Sequence, residues 1–364
     1  MPDSTLTPGV SPLDVDDLRA RVQQVVDETV ATQSLLLESV SADLSPLVDA
    51  ISALLKGGKR LRPAFAYWGW RGASGDTSHD DLAMRAAAGL EFLQACALIH
   101  DDVMDGSDTR RGLPAAHRRF AGVHRDHEWH GSPEAFGTGA AILLGDMCLS
   151  WADEVIFSCG FAPATMQRTK AIYDEMRTEL MAGQYLDLLE QVRGGGSVER
   201  ALRVVRYKSA KYTIERPLHL GAALADAPPE VVDAYSAYGL PLGEAFQLRD
   251  DILGVFGDPS ETGKPAGDDL REGKRTVLIA TSLERSTATQ AAAIRHHLGD
   301  PALSLDGVEE LRSVITDTGA LAHTEQLIDQ SLDQAIRALD TPIIDPTAVE
   351  VLTALAYAAT RRSM

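Results

Sequence analysis

The chain has 364 residues, of which 45% are hydrophobic, 24% are charged and 5% are aromatic. This composition is ordinary for a soluble globular protein and excludes disordered, collagen-like and fibrous classes. The 53 acidic residues outnumber the 34 lysines and arginines, and the resulting net charge of −19 argues against binding to nucleic acid through a basic surface.

The cysteines and the apolar runs indicate the cellular compartment. The chain has an odd number of cysteines, and all three lie in apolar segments: Cys96, Cys148 and Cys159. This pattern is typical of buried free thiols in a reducing compartment. The N-terminus lacks the basic and apolar regions of a signal peptide, and no run of 18 apolar residues occurs. We therefore expect a cytoplasmic protein without an integral membrane segment.

The spacing of apolar residues predicts an all-α fold. Residues 1–15 are rich in proline and small polar residues and are predicted to form a flexible tail, followed by a single helical domain at 16–364. The segment 82–100 is almost wholly apolar, which predicts a helix at the centre of a large bundle. Further helical patterns cover 138–159, 163–192, 197–224, 229–256, 274–284, 288–298, 306–319, 321–338 and 346–362. Strand patterns are missing, and longer loops are expected at 106–137 and 254–274.

Two acidic clusters differ from the other aspartate pairs of the chain. Pairs occur at 16/17, 80/81, 101/102, 250/251 and 268/269, and a pair alone is typical of a helix start or a solvated face. The pairs at 101/102 and 250/251 instead follow long apolar helical runs. Asp101 and Asp105 are four residues apart and share one helix face, where their mutual repulsion predicts a hard cation such as Mg²⁺.

Basic residues accompany both acidic clusters. Arg110 and Arg111 follow the first cluster, and Lys264 and Lys274 follow the second. A third basic element, Lys59 to Arg62, precedes Pro63, which fits the first turn of a helix and therefore an anion site. Together these features predict a diphosphate bridged by metal between carboxylates and basic side chains. The glycine–lysine turns lack the pattern of a Walker loop, so a nucleotide is not expected.

In combination, these motifs resemble those of the trans-prenyl diphosphate synthases, or polyprenyl synthetases, from about Leu55 to Lys274. The resemblance implies a single all-α bundle with a central cavity, about three Mg²⁺ ions, isopentenyl diphosphate and an allylic diphosphate as substrates, and a homodimer. For the first half of the site it implies Asp101, Asp102 and Asp105 as the first aspartate motif, Lys59, Arg62, Gln94 and Arg111 as the isopentenyl diphosphate site, and Arg110 as an allylic diphosphate contact.

For the second half, the resemblance assigns Lys208 to the allylic diphosphate, Phe246, Gln247, Asp250 and Asp251 to the second aspartate motif, and Lys264 and Lys274 to its basic followers. Asp101, Asp105 and Asp250 are the implied direct metal ligands. The sequence departs from the family at Gly254, where many members carry a third aspartate. We expect this change to weaken one metal site, with Asp258 partly replacing the lost charge.

The helix at 82–100 predicts the length of the product. One turn rises about 5.4 Å, similar to one isoprene unit, so the helix acts as a ruler for a tail that runs back from Asp101. Cys96 and Ala97, one turn back, are small, whereas Phe92 and Leu93, two turns back, are large enough to block the tail. This favours a C20 product. Two alternatives stay open. The product is C30 or longer, or the small side chains of Cys96 and Ala97 serve only the close packing of helices.

Other interpretations are weaker. His124, His127 and His130 have a spacing at which imidazoles share a metal such as Zn²⁺, but their polar surroundings favour a solvated insertion. A class I terpene cyclase shares the all-α fold and the first aspartate motif but needs no isopentenyl diphosphate site. A non-catalytic, prenyltransferase-like subunit usually has eroded aspartate motifs, of which only Gly254 is a sign here.

Overall fold

The structure, a computed structural model, describes residues 11–75, 77–194, 196–258 and 267–361. The first helices are α1 (Leu18–Val40), α2 (Ser45–Leu55), α3 (Leu61–Ser74), α4 (Asp80–Asp105), α5 (Ala116–Asp126), α6 (Pro133–Phe157) and α7 (Pro163–Arg193). They are followed by α8 (Val198–Val204), a π-helix (Val205–Glu215), α9 (Arg216–Leu224), α10 (Pro229–Phe256), α11 (Asp268–Arg271), α12 (Val277–Arg285), α13 (Ala288–His297), α14 (Leu305–Asp317), α15 (Ala320–Ala338) and α16 (Pro346–Thr360). The predicted all-α fold is confirmed.

The predicted central helix is longer than its apolar stretch. It starts at Asp80 and ends at Asp105, where Gly106 adopts a left-handed conformation with φ 68° that closes the helix. All three aspartates of the first cluster therefore lie in its last two turns. The helix α4 is long and apolar enough to cross a membrane. However, 72% of its most apolar stretch is buried within the protein, as in the core helix of a folded domain.

Residues 106–137, predicted as a loop, are largely structured. Thr109–Arg110 (β1) and Leu113–Pro114 (β2) form a short antiparallel hairpin, with Thr109 paired to Pro114. The prediction that strands are missing is therefore wrong at this hairpin. The helix α5 follows directly and contains His124, which is buried, whereas residues 125–132 are exposed. Of the three histidines, only His124 departs from the predicted solvated insertion.

The described chain forms two compact units. Among the described residues, one contains 11–67 and 77–166, in which α4 packs against α6 and α1, and α5 packs against α6. In this unit a Cβ added at Gly89 would come within 2.5 Å of Ile156, so the glycine permits close approach of α4 and α6. Leu13 and Val15 are buried, so the described part of the predicted tail is packed, and residues 1–10 lie outside the described residues.

The other unit contains residues 68–75 and the described residues from 167 to 361. Its long helix α10 packs against α15, the π-helix, α9 and α11. A core of α11 to α14 includes Leu270, Leu278, Ile294 and Leu311, all of which are buried. Burial of these side chains anchors the segment that follows α10, and it thereby fixes the position of α11 beside that helix.

Candidate functional site

The first acidic cluster lies on the last two turns of α4. Asp101 and Asp105 are half-buried and, four residues apart, lie on one face of the helix. Asp102 points elsewhere and is almost fully buried, with 2% of its surface exposed. Carboxylate oxygens are the donors that Mg²⁺ prefers, so the pair formed by Asp101 and Asp105 fits that cation.

The buried carboxylate of Asp102 holds an arginine beside this pair. The Arg110 Nε donates to both Asp102 oxygens at 2.9 and 3.2 Å, and its terminal nitrogen also bonds Asp102. The same guanidinium lies 3.8 Å from Asp101. A carboxylate that binds a planar guanidinium through two hydrogen bonds fixes the orientation of that group. Asp102 therefore positions Arg110, which lies in β1 of the hairpin.

The glycine turn before α3 is shaped to receive Arg111. Gly57 and Gly58 have φ values of 79° and 108°, which only glycine adopts readily. A Cβ at Gly58 would lie 3.2 Å from the Arg111 guanidinium, so the glycine leaves room for that group. Arg111 also donates to the Leu54 carbonyl at 2.7 Å. The turn and the hairpin are thus joined through one arginine.

Arg60 fastens this turn to α4. It is buried, adopts a positive φ of 56°, and forms a buried ion pair with Glu91. It also donates to the Leu55 carbonyl. A buried pair of this kind is costly to break, because removing one partner leaves an uncompensated charge. Arg60 and Glu91 therefore hold the neighbouring Lys59 and Arg62 in place. The sequence analysis did not identify Arg60 or Glu91 as functional residues.

Positive charge is concentrated around Arg111. Desolvation of its guanidinium lowers its pKa, Arg60, Arg110 and Arg62 lower it further, and Glu91 opposes them. Arginine remains protonated at neutral pH, so this crowding leaves positive charge that a polyanion relieves. A pocket of about 260 Å³ opens beside it, lined by apolar residues of α2 and α6 and by Asp102, Arg110 and Arg111. Lys59 is exposed, and Arg62 and Gln94 are half-buried.

The second acidic cluster lies near the end of α10. Asp250 is half-buried, whereas Asp251 is buried and accepts a hydrogen bond of 2.8 Å from Gln247. Burial raises the pKa of Asp251 to about 7; Gln247 and Lys274 oppose the rise, while Asp269 and Asp250 add to it. This cluster of oxygens, with Lys274 as its basic neighbour, fits a hard cation.

Lys208 belongs to the π-helix, a conformation that is frequent at functional sites. Its Nζ lies 2.7 Å from an oxygen of Asp187 on α7. A Cβ at Gly183 would lie 2.4 Å from the Lys208 backbone nitrogen, so glycine is needed for α7 to approach the π-helix this closely. Gly183 and Asp187 are four residues apart and lie on one face of α7. The glycine allows the backbone of Lys208 to approach this face, and the aspartate fixes the position of its ammonium group.

The cysteines and the remaining residues around the second aspartate motif differ in burial and in their contacts. The three cysteines are free and buried, as predicted, and burial raises the pKa of Cys96 to about 12, so it is not a nucleophile at neutral pH. Lys264 lies outside the described residues, and Phe246 is buried. Arg249, in the second motif, pairs with Glu325 of α15 and donates to the Thr360 carbonyl at 2.9 Å, which is a structural role.

The histidine segment does not form a metal site. His124 is buried and bonds the carbonyl of His130 at 3.1 Å, and His127 bonds the carbonyl of Val123 at 2.9 Å. Trp129 stacks on His127 with ring centroids 4.9 Å apart. Within the described ranges, no group of three or more His, Cys, Asp or Glu side chains is arranged to hold a metal ion. The segment is an aromatic cluster instead.

The four residues proposed to set product length occupy two sides of α4. Ala97 and Leu93 precede Asp101 by four and eight residues and follow its face. Phe92 instead packs edge-on against Trp151 of α6, with ring centroids 6.1 Å apart. Cys96 lies 3.7 Å from the ring of His100, which bonds the Ile142 carbonyl of α6 at 3.1 Å. Phe92 and Cys96 therefore face α6.

Comparisons with known proteins identify the family of the chain. The profile of the polyprenyl synthetase family matches residues 45–315. A geranylgeranyl pyrophosphate synthase from Corynebacterium glutamicum, whose crystal structure holds isoprenyl diphosphate and magnesium, is 42% identical with a TM-score of 0.91, and the match covers 95% of this chain and 100% of that one.

Two curated relatives make products of other lengths. Geranylfarnesyl diphosphate synthase of Aeropyrum pernix is 32% identical over 303 residues, which are 82% of this chain and 88% of that protein. Octaprenyl diphosphate synthase of Escherichia coli is 29% identical over 345 residues, which are 92% of this chain and 96% of that protein. The family profile matches most of this chain, and both acidic clusters lie within the matched residues. The chain therefore belongs to the polyprenyl synthetase family and is a prenyl diphosphate synthase.

Proposed function

We propose that this enzyme condenses isopentenyl diphosphate with an allylic diphosphate, in the presence of Mg²⁺, and makes all-trans geranylgeranyl diphosphate, a C20 product. The observation that carries the proposal is the end of α4. There, Asp101 and Asp105 share one face of the helix. Arg110 lies beside them and is held by hydrogen bonds to the carboxylate of Asp102.

The first acidic cluster and its hairpin bind the allylic diphosphate. Asp101 and Asp105 are the carboxylates that hold Mg²⁺, and Arg110, oriented by Asp102, donates to the diphosphate oxygens. Lys59, Arg62, Gln94 and Arg111 take up isopentenyl diphosphate. The crowding of arginines around Arg111 supports this assignment, because a second anion relieves their mutual repulsion.

The second acidic cluster contributes Asp250 as a metal ligand, and Gln247 and Asp251 support it through their hydrogen bond. Lys208 binds the allylic diphosphate, as does the segment from Lys264 to Lys274. When bound, about three Mg²⁺ ions stabilise the negative charge that develops on the departing diphosphate.

The reaction needs no protein nucleophile. The allylic C–O bond breaks and its electron pair leaves with the diphosphate, which Arg110 and Lys208 neutralise. The double bond of isopentenyl diphosphate attacks the resulting carbocation and forms the new C–C bond. The proton that is then lost goes to the released diphosphate. The net charge of −19 does not oppose this chemistry, because local basic side chains and metal determine the field at the site.

The face of α4 behind Asp101 supports a C20 product. Ala97 leaves room for the tail at the first turn, and Leu93, buried two turns back, ends it. Phe92 and Cys96 lie on the side of α4 that faces α6 instead. A longer product is the alternative, because relatives with this fold are named for C25 and C40 products.

We further propose a cytoplasmic homodimer. In the unit that contains α6, Phe136, Ile142 and Leu143 expose 40%, 45% and 63% of their surfaces, and Trp129 exposes 47%. Large exposed apolar side chains on one helix and on the segment that precedes it are typical of a protein interface. Sedimentation analysis should give twice the mass of the chain, and Leu143→Glu should shift it towards the monomer.

The test of the proposed function is a product assay on the purified full chain. The protein is incubated with Mg²⁺, labelled isopentenyl diphosphate and one allylic starter (C5, C10 or C15) at a time, and the dephosphorylated products are sized by chromatography. We expect a C20 alcohol. A product of C30 or longer would keep the enzyme class and refute the role of Leu93.

The same assay tests the weaker alternatives. A cyclic hydrocarbon formed without isopentenyl diphosphate would replace the synthase with a terpene cyclase. No elongation with any starter would identify the chain as a non-catalytic subunit.

A further inference from the structure

One face of α7 carries the residues that contact the π-helix and the start of α9. Four residues follow one another at intervals of four and therefore share this face: Glu175, Glu179, Gly183 and Asp187. Asp187 pairs with Lys208, near the start of the π-helix. Glu179 pairs with Lys211 and with Arg216, the first residue of α9. The contacts run in opposite order along the two segments, so these ion pairs fix one register between them.

Glu179 joins the π-helix to the helix that follows it. Its Oε2 accepts a hydrogen bond of 2.7 Å from the Arg216 Nε, and its Oε1 accepts one of 3.0 Å from Arg216 and another from the Lys211 Nζ. Burial opposes the ionisation of Glu179, but the hydrogen bonds from Arg216 and Lys211 lower its pKa, so the side chain is charged at neutral pH. Only 15% of this side chain is exposed, so its removal leaves two cations uncompensated.

The backbone of the π-helix is also in close contact with α10. Most π-helical segments are single turns, so one of 11 residues depends on packing for support. A Cβ at Gly243 would lie 2.5 Å from the Ala210 Cα, and a Cβ at Gly239 would lie 2.9 Å from the Glu215 Cα. Backbone thus touches backbone at α10 and, through Gly183, at α7. Such smooth contacts leave the position of the segment along its axis to the ion pairs with α7.

We propose that Glu179 is a positioning residue for Lys208. By holding Lys211 and Arg216 it fixes the register of the π-helix on α7, and it thereby places the ammonium that binds the allylic diphosphate. This inference rests on the proposed function, which assigns Lys208 to that substrate. The diphosphate competes with Asp187 for the ammonium of Lys208, so that pair weakens as the substrate arrives. The bonds of Glu179 use no atom of Lys208 and therefore keep the segment in place when the substrate binds.

The test uses two variants of the full chain and a matched control. Glu179→Gln removes the charge and keeps the shape of the side chain, and Lys211→Met removes only one of its partners. The control is Glu190→Gln, because Glu190 is also a buried carboxylate of α7 but pairs with Arg200 of α8, at 2.8 Å. The readouts are the Tm, the KM for isopentenyl diphosphate, and the Kd of the C10 allylic diphosphate with Mg²⁺. The Kd is measured by calorimetry without isopentenyl diphosphate, so it requires no turnover.

We expect Glu179→Gln to raise the Kd of the allylic diphosphate about tenfold, a loss of about 1.4 kcal/mol of binding, with an unchanged KM for isopentenyl diphosphate. Lys211→Met should raise the same Kd by a smaller factor. It keeps both bonds between Glu179 and Arg216, so it decides the outcome if Glu179→Gln does not fold. Glu190→Gln should lower the Tm and leave the Kd unchanged.

A double variant separates positioning from a general loss of stability. In a chain that already carries Lys208→Gln, the ammonium to be positioned is absent. Glu179→Gln should then lower the Tm further but raise the Kd no further, because the two residues act on binding through one group.

The inference is overturned if Glu179→Gln, or Lys211→Met in its place, lowers the Tm without raising the Kd. It is also overturned if Glu190→Gln raises the Kd equally, or if the effects of Glu179→Gln and Lys208→Gln on the Kd add. The proposed function fails separately. A wild type that binds the allylic diphosphate but makes no prenyl product would refute the synthase, while the comparison of Kd values would still test Glu179.

Discussion

Truncating Leu93 to alanine tests whether α4 measures the product. Leu93 is 1% exposed and lies eight residues, about two turns, before Asp101. Removing most of its side chain opens the next turn of the helix, about 5.4 Å, which is the length of about one isoprene unit. We therefore expect the main product of Leu93→Ala to change from C20 to C25. Ala97→Phe should act in the opposite direction and shorten the product.

Phe92→Ala is the matched control, since it removes a neighbouring side chain that faces α6. Phe92 is fully buried and packs edge-on against Trp151. Both truncations leave cavities and cost about 2–5 kcal/mol of stability, a large fraction of the roughly 5–15 kcal/mol that holds a domain folded. Their effects on stability are thus similar, whereas their effects on product length should differ.

The assay compares the chain length of the dephosphorylated product for the wild type and the three variants. Each is measured below its own Tm, with circular dichroism to establish that the protein is folded. If Phe92→Ala lengthened the product and Leu93→Ala did not, the tail would run along the side of α4 that faces α6. If neither changed the length, helix α4 would not measure the product.

Three further predictions concern the site and the stability of the fold. Asp101→Ala should abolish synthesis with Mg²⁺, whereas Asp81→Ala, at the exposed start of the same helix, should not; equal activity in the two variants would remove the first cluster from the site. Lys208→Gln should raise the KM for the allylic diphosphate and lower the Tm, because it removes the ammonium paired with the buried Asp187; a lower Tm with an unchanged KM would make that pair purely structural. Burial lowers the pKa of His219 from 6.5 to about 4, so the unfolded chain binds more protons between these values and stability falls as the pH falls. By this linkage the wild type should lose about 2 kcal/mol between pH 7.5 and pH 5; urea unfolding should show a smaller loss for His219→Gln, and equal losses would contradict the assignment.

The sequence predicted most of the helices and the two acidic clusters because both depend on local patterns. The apolar run at 82–100 is long and continuous, so α4 was predicted almost to its ends, and the spacing of Asp101 and Asp105 follows from the helical period. The hairpin at 109–114 was missed because its two-residue strands are too short to show alternation. The burial of His124 was not predicted, because its ring contacts with Trp129 and with Phe136 of α6 join aromatic residues that polar residues separate in the sequence.

The contacts that orient the site were not predictable, because they join residues distant in sequence. Arg60, which directly precedes α3, pairs with Glu91 of α4, and Arg249 of the second aspartate motif donates a hydrogen bond to the Thr360 carbonyl near the end of the chain. Nothing in the identity of these residues distinguishes a fixed ion pair from a solvated charge. Gly183 gave a clearer signal, since a glycine inside a long helix costs stability and calls for a close approach, here to Lys208.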